Sequence, residues 1–171
     1  MKIFGSKSLS HYLFYLSRAA AFGSIILVSY ILLSLVFGNF EIINEQFQIG
    51  IPFLPETYIK GFYETSIITS ISIILIYMCV FFYSISLILK SFKSNILFSK
   101  NAIKYLNLFA IINLVVFPLL YLILHFFVLK KPSHTSAHNL FLSFVLGVFI
   151  LFISAIFKRG LKVQNENDLT I

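Results

Sequence analysis

The side chains able to do acid–base, metal or thiol chemistry are few: six carboxylates, four histidines and one cysteine in 171 residues. Asp168 is the only aspartate, so an aspartyl dyad is impossible, and no H-E-x-x-H, G-x-x-x-x-G-K-[ST] or G-x-G-x-x-G pattern occurs. Cys79 stands alone, which excludes an intrachain disulfide and a multi-cysteine zinc site. His134 and His138 are four apart and on a helix would present two nitrogens on one face. A zinc site needs three or four ligands, so a third would have to come from Glu41, Glu45, Glu56 or Glu64; a plain solvated turn is the simpler reading. His125 lies one turn from Tyr121 inside an apolar stretch, where an ionisable group is a functional candidate by default. A proton relay there usually uses carboxylates, and none of the apolar stretches holds one. The competing reading is a histidine bonded to a neighbouring helix or placed near the interface. A serine paired with His125 would need an oxyanion hole and a water path that nothing in the sequence indicates. Asn113 reads as interhelical glue before it reads as a ligand group. These residues predict no cofactor and no enzyme.

The elements that would carry these residues are membrane spans. The chain is 59% hydrophobic and 11% charged, against about 25% charged in a soluble domain, and helices apolar on every face have no side for water. A helix needs roughly 20 apolar residues to cross about 30 Å of hydrocarbon. Four stretches qualify or nearly so: 19–40, 65–89, 105–129 and 140–157. The fold class expected is therefore an all-α integral membrane protein of four transmembrane helices, a single domain over 1–171 with a tail at 158–171. Before the first span, Leu9, Tyr12, Leu13 and Leu16 recur at helical spacing and suggest an amphipathic lead-in at the interface. Small residues four apart, Ala19 with Gly23, Ala20 with Ser24 and Ser143 with Gly147, would let helices approach closely; for the first two pairs a chance lipid-facing placement is the competing reading.

Between the first two spans, Phe47, Ile49, Ile51 and Phe53 alternate with polar residues, glycine and Pro52, a period of two that argues for a strand. Pro52 confines that strand to an edge or ends it. Pro55 and Glu56 suit the first turn of a helix, which would place Tyr58, Phe62 and Tyr63 in an interfacial aromatic belt. Ser99 suits the N-cap of the third helix. Pro118, mid-span, withholds a donor from the Leu114 carbonyl and predicts a kink.

Charge sets the expected orientation, because Lys and Arg accumulate on the cytoplasmic side of span ends. Ten cations fall on one side: Lys2, Lys7, Arg18, Lys90, Lys93, Lys100, Lys104, Lys158, Arg159 and Lys162. Three fall on the other: Lys60, Lys130 and Lys131. Both termini and the connector 90–104 are thus expected in the cytoplasm, with the acidic 39–64 loop outside. The net charge of +7 has no basic helix or aromatic-interleaved patch of the nucleic-acid-binding kind, so the lipid bilayer is the expected counterpart and direct nucleic-acid binding is not.

Two short segments carry a resemblance. The tail from Lys158 to Ile171, with Gly160 after the basic pair and Glu166-Asn167-Asp168-Leu169-Thr170-Ile171 at the end, resembles the bacterial membrane family catalogued as domain of unknown function 2975. Phe98-Ser99-Lys100-Asn101, before the third span, is similar to that family's second recurrent segment. The resemblance implies a four-helix protein of the bacterial inner membrane without known catalytic residues, frequently encoded beside a small helix-turn-helix regulator. These two segments supply the partner-binding candidates Phe98, Ser99, Lys100, Asn101, Gly160, Glu166, Asn167, Asp168, Leu169 and Thr170; Asn113 and His125, from their place in apolar stretches, are the intramembrane polar candidates. The expected function is a non-enzymatic membrane component working through protein contacts, a sensor or sequestering partner of such a regulator, or a self-protection protein against membrane-active peptides. The alternative is a small-molecule transporter or permeation subunit, against which stand the missing intramembrane carboxylates and repeats. Oligomeric state is not legible.

Overall fold

A computed structural model describes residues 3–5, 7–52, 54–94, 96–130 and 134–168, with the backbone alone at 134–137 and 168. Four long helices run up, down, up and down: α1 (Leu9–Phe37), α2 (Thr65–Phe92), α3 (Lys100–Val128) and α4 (His134–Asp168). All four contain stretches long and apolar enough to cross a bilayer, so the chain is a multi-pass membrane protein. A three-stranded antiparallel sheet joins α1 to α2, with β1 (Glu41–Ile43), β2 (Gln46–Gly50) and β3 (Tyr58–Phe62) in the order β1-β2-β3. The sheet marks one end of the bundle; the start of α1, the connector after α2 and the end of α4 mark the other, basic end.

The helices exceed the expected spans because their polar ends stay helical. The lead-in is no separate element: α1 is continuous from Leu9, and Ser10, Phe14, Ala21, Val28, Ile31 and Ser34 form one buried stripe, chiefly against α2. Ala19 and Gly23 lie off that stripe and are exposed; a Cβ at Gly23 would meet nothing within 4 Å. Of the two readings of that spacing, close approach and outward-facing placement, Ala19 and Gly23 follow the second. Gly38, in the left-handed region at φ 73°, ends α1 and gives its N–H to the Ser34 carbonyl. At the other terminus, the 35 residues of α4 span roughly 52 Å at 1.5 Å per residue. That exceeds the hydrocarbon by several turns, and the tail through Asp168 extends the helix.

The alternating segment is a strand, as expected, and it lies in the middle of the sheet. Phe47 and Ile49, 1% and 0% exposed, point onto Ile31 and are packed by Tyr30, Ile68, Ile71 and Leu75 of α1 and α2. The strand stops at Gly50, before Pro52, and the Tyr30 hydroxyl donates to the Gly50 carbonyl. Asn44 and Glu45 both have positive φ (52° and 63°), the two-residue turn whose twist suits a hairpin, and they pair β1 with β2. The helix expected to begin at Pro55 is instead a strand. Pro55 and Glu56 make a turn with Glu56 at φ 62° and the Thr57 N–H on the Leu54 carbonyl, 3.3 Å. Proline followed by a left-handed residue is a type II arrangement, and it returns the chain as β3 to pair with β2. Tyr58 and Phe62 face outward from β3 with Lys60, whose ammonium lies 5.6 Å from the Tyr58 ring, and Tyr63 stacks on Phe40 at 5.3 Å.

α3 is not a plain helix. Ser99 caps it as expected, its Oγ accepting the Ala102 N–H at 3.2 Å. Two stretches, Ile112–Val116 and Ile123–Val128, are wound as π-helix on either side of an α-helical turn, Phe117–Leu122. Pro118 is accommodated by this widening. The Phe117 N–H bonds to the Ile112 carbonyl, five residues back, and in that register the donor withheld by proline is missed by Asn113 instead of Leu114.

Candidate functional site

Three places bring together side chains the sequence singled out. The first is mid-bundle. Asn113, 1% exposed, donates through Nδ2 to the Phe109 carbonyl at 2.8 Å, while the Ser143 hydroxyl of α4 lies 3.0 Å from the Asn113 carbonyl and 3.2 Å from its Oδ1. The π-turn explains the pairing: it leaves the Asn113 carbonyl without a helical donor, and Ser143 supplies one. One turn along α4, a Cβ at Gly147 would lie 2.5 Å from Leu114 Cγ and 3.3 Å from Asn113 Cβ, the close approach expected of the Ser143 and Gly147 pair. A second crosslink, Ser154 Oγ to Asn107 Oδ1 at 2.6 Å, joins the same helices nearer the basic end. Asn113 is thus bonded across to α4. The buried serines of α2, Ser70, Ser84, Ser86 and Ser91, satisfy themselves on carbonyls three or four residues back in their own helix.

The second place is beside the second π-turn. His125 stacks on Tyr121 with ring centroids 4.3 Å apart, and its Nδ1 lies 3.1 Å from the Tyr121 carbonyl. A carbonyl only accepts, so Nδ1 carries the hydrogen and Nε2 is the acceptor of the neutral ring. Of the readings open for His125, the bond it makes is within its own helix and not to a neighbouring one, and it lies in the last turns of α3. His138 is exposed at the start of α4; the side chain of His134 lies outside the described residues. Among the described residues, no three of His, Cys, Asp and Glu are placed to hold a metal ion.

The third place is the basic end. Phe98 lies over Gly160, where a Cβ would come within 2.7 Å of the ring. The ring also meets Phe157 edge-on at 5.3 Å, and Phe157 stacks on Phe92 of α2 at 5.4 Å. The two segments that resemble the family therefore touch each other. A shallow groove of about 750 Å³ runs beside the contact, lined by Phe98, Ile156, Arg159, Gly160, Val163, Gln164 and Asn167. Ser99 serves as the cap described above, and Lys100 and Asn101 form the exposed first turn of α3. Lys162 and Glu166, both mostly exposed, pair along α4 at 3.7 Å. The tail therefore meets the connector through an aromatic ring on a glycine, and 158–168 continues as helix. The Asp168 side chain, Leu169 and Thr170 lie outside the described residues.

Sequence reasoning missed the cations on aromatic rings at this end. Lys93 Nζ sits 4.2 Å from the Phe14 centroid and 5.4 Å from that of Tyr15, and the Arg18 guanidinium lies 5.6 Å from both Phe14 and Tyr83. The signal was present in Phe14, Tyr15 and Arg18 at helical spacing, but Lys93 is far along the chain.

With this geometry in place, the comparison with known families is decisive about membership. Residues 11–171 match the family described as protein of unknown function (DUF2975). The chain belongs to that family. No curated protein and no solved structure matches it.

Proposed function

We propose that this DUF2975 protein is a non-enzymatic sensor of the bacterial inner membrane that holds a small helix-turn-helix regulator at its basic, cytoplasmic end. The observation that carries this reading is the contact of Phe98 with Gly160. It gathers the connector and the end of α4 into one surface, with an apolar groove flanked by Arg159 and the exposed turn at Lys100. A partner suited to it carries an apolar residue for the groove and carboxylates for the rim, the arrangement in which rim charge steers encounter and the buried anchor holds. The orientation follows from the ten-to-three asymmetry of Lys and Arg. Because α4 runs unbroken from the sheet end to Asp168, a shift of that helix at its junction with α3 would reach the groove directly.

The test is co-purification of a regulator of this class, encoded beside the gene, with the full-length protein from membranes. Gly160→Leu, which displaces Phe98, and Arg159→Glu should each cut its recovery at least fivefold while membrane insertion is kept. Unchanged recovery in both variants refutes the assignment of the partner to this face.

A further inference from the structure

The cleft beside His125 is a second site, distinct in position and chemistry from the basic end. It holds about 180 Å³, close to the roughly 150 Å³ of an engineered apolar cavity that takes up benzene, so it accommodates one six-membered ring and little more. Ile73, Tyr77, Phe117 and Tyr121 are among its walls, from α2 and from the part of α3 between and within its π-turns. The stacked Tyr121 and His125 pair closes one side. Polar residues are few: Tyr77 and Tyr121, each with a phenolic hydroxyl, His125, whose Nδ1 is committed to the Tyr121 carbonyl so that Nε2 is left to accept, and Asn139 in the first turns of α4. A small, mostly apolar pocket with a few placed polar groups is the usual form of a small-molecule site, and π-turns recur at functional positions because they rearrange the helix wall.

We propose that this cleft binds a monocyclic aromatic amphiphile bearing a ring hydroxyl, a phenol, whose O–H donates in the imidazole plane to His125 Nε2 while its ring lies against the edge of the Tyr121 and His125 pair. The ring fits the volume, the hydroxyl matches the acceptor, and an alkyl tail would leave through the open side of the cleft. The proposal does not depend on what docks at the basic end.

The experiment uses full-length protein in detergent micelles, titrated with 4-fluorophenol and with fluorobenzene and followed by ¹⁹F NMR. The expected result is saturable binding of 4-fluorophenol at least tenfold tighter than that of fluorobenzene. His125→Phe should reduce the phenol to the affinity of fluorobenzene, and Leu120→Trp, which fills the cleft, should abolish saturable binding of both. Equal affinities for the two probes in the unaltered protein overturn the acceptor role, and phenol affinity unchanged by His125→Phe does the same. Because a tryptophan at 120 could perturb folding, a diazirinyl phenol is also photo-crosslinked to the unaltered protein. Labelling within residues 73–77 or 117–125 or at Asn139 that 4-fluorophenol competes away supports the site; labelling confined elsewhere overturns it.

Discussion

Gly147→Ala tests whether α3 and α4 are held at the separation that Asn113 and Ser143 require. An added Cβ would lie 2.5 Å from Leu114 Cγ and 2.8 Å from its Cδ2, whereas carbon contacts are favourable near 3.5–4.0 Å, so the helices must part by about 1 Å or Leu114 must change rotamer. Overpacking of this kind costs about 1–3 kcal/mol. Parting the helices also stretches the bonds at 3.0 and 3.2 Å from Ser143 to Asn113, and an interhelical hydrogen bond in a membrane protein is worth about 0.6 kcal/mol on average. Alanine's better helix propensity returns about 1 kcal/mol. The net expectation is a loss of roughly 0.5–2.5 kcal/mol, the range these opposing effects leave. Reversible unfolding in mixed micelles, followed by far-ultraviolet circular dichroism, measures it. Gly23→Ala is the control: with nothing within 4 Å of its Cβ, only the propensity gain remains, up to about 1 kcal/mol of stabilisation. The double variant Gly147→Ala with Leu114→Ala should recover part of the loss. If Gly147→Ala stabilises the protein as much as Gly23→Ala does, the packing argument at the π-turn is wrong.

Orientation is checked by cysteine labelling in a Cys79→Ser background, at Glu45→Cys, Lys93→Cys and Asn165→Cys. An impermeant thiol reagent applied to spheroplasts should label only position 45, and labelling at 93 would reverse the topology. At the sheet end, Gly61→Val should destabilise by about 1–3 kcal/mol, because a Cβ there would lie 2.8 Å from the Phe47 ring, which faces Gly61 across the β2–β3 pairing. Unaltered thermal stability of that variant would contradict the packing of β2 on α1 and α2.

What the sequence made legible is what local chemistry decides, and the residues show the boundary. Ser99 was readable as a cap because its partner, the Ala102 N–H, is three residues away. The alternation at Phe47 and Ile49 was readable because burial on one face of a strand imposes a period of two. Tyr58–Phe62 was not, since a proline followed by a carboxylate suits a helix start as well as a turn, and only the availability of β2 as a partner decides between them. The length of α4 was hidden for a related reason: the apolar stretch ends at Phe157, yet Lys158–Asp168 contains no glycine except Gly160 and no proline, so nothing stops the helix there. Small-residue spacing was ambiguous in the same sense. Gly23 and Gly147 have equivalent sequence neighbourhoods, but only Gly147 faces a partner, because only there does a prolyl residue on the facing helix leave a carbonyl to be satisfied. The widened turn before Pro118 and the serine opposite it are therefore one device written in two distant places, and a reading of either segment alone finds a kink or a small residue without the hydrogen bond that joins them.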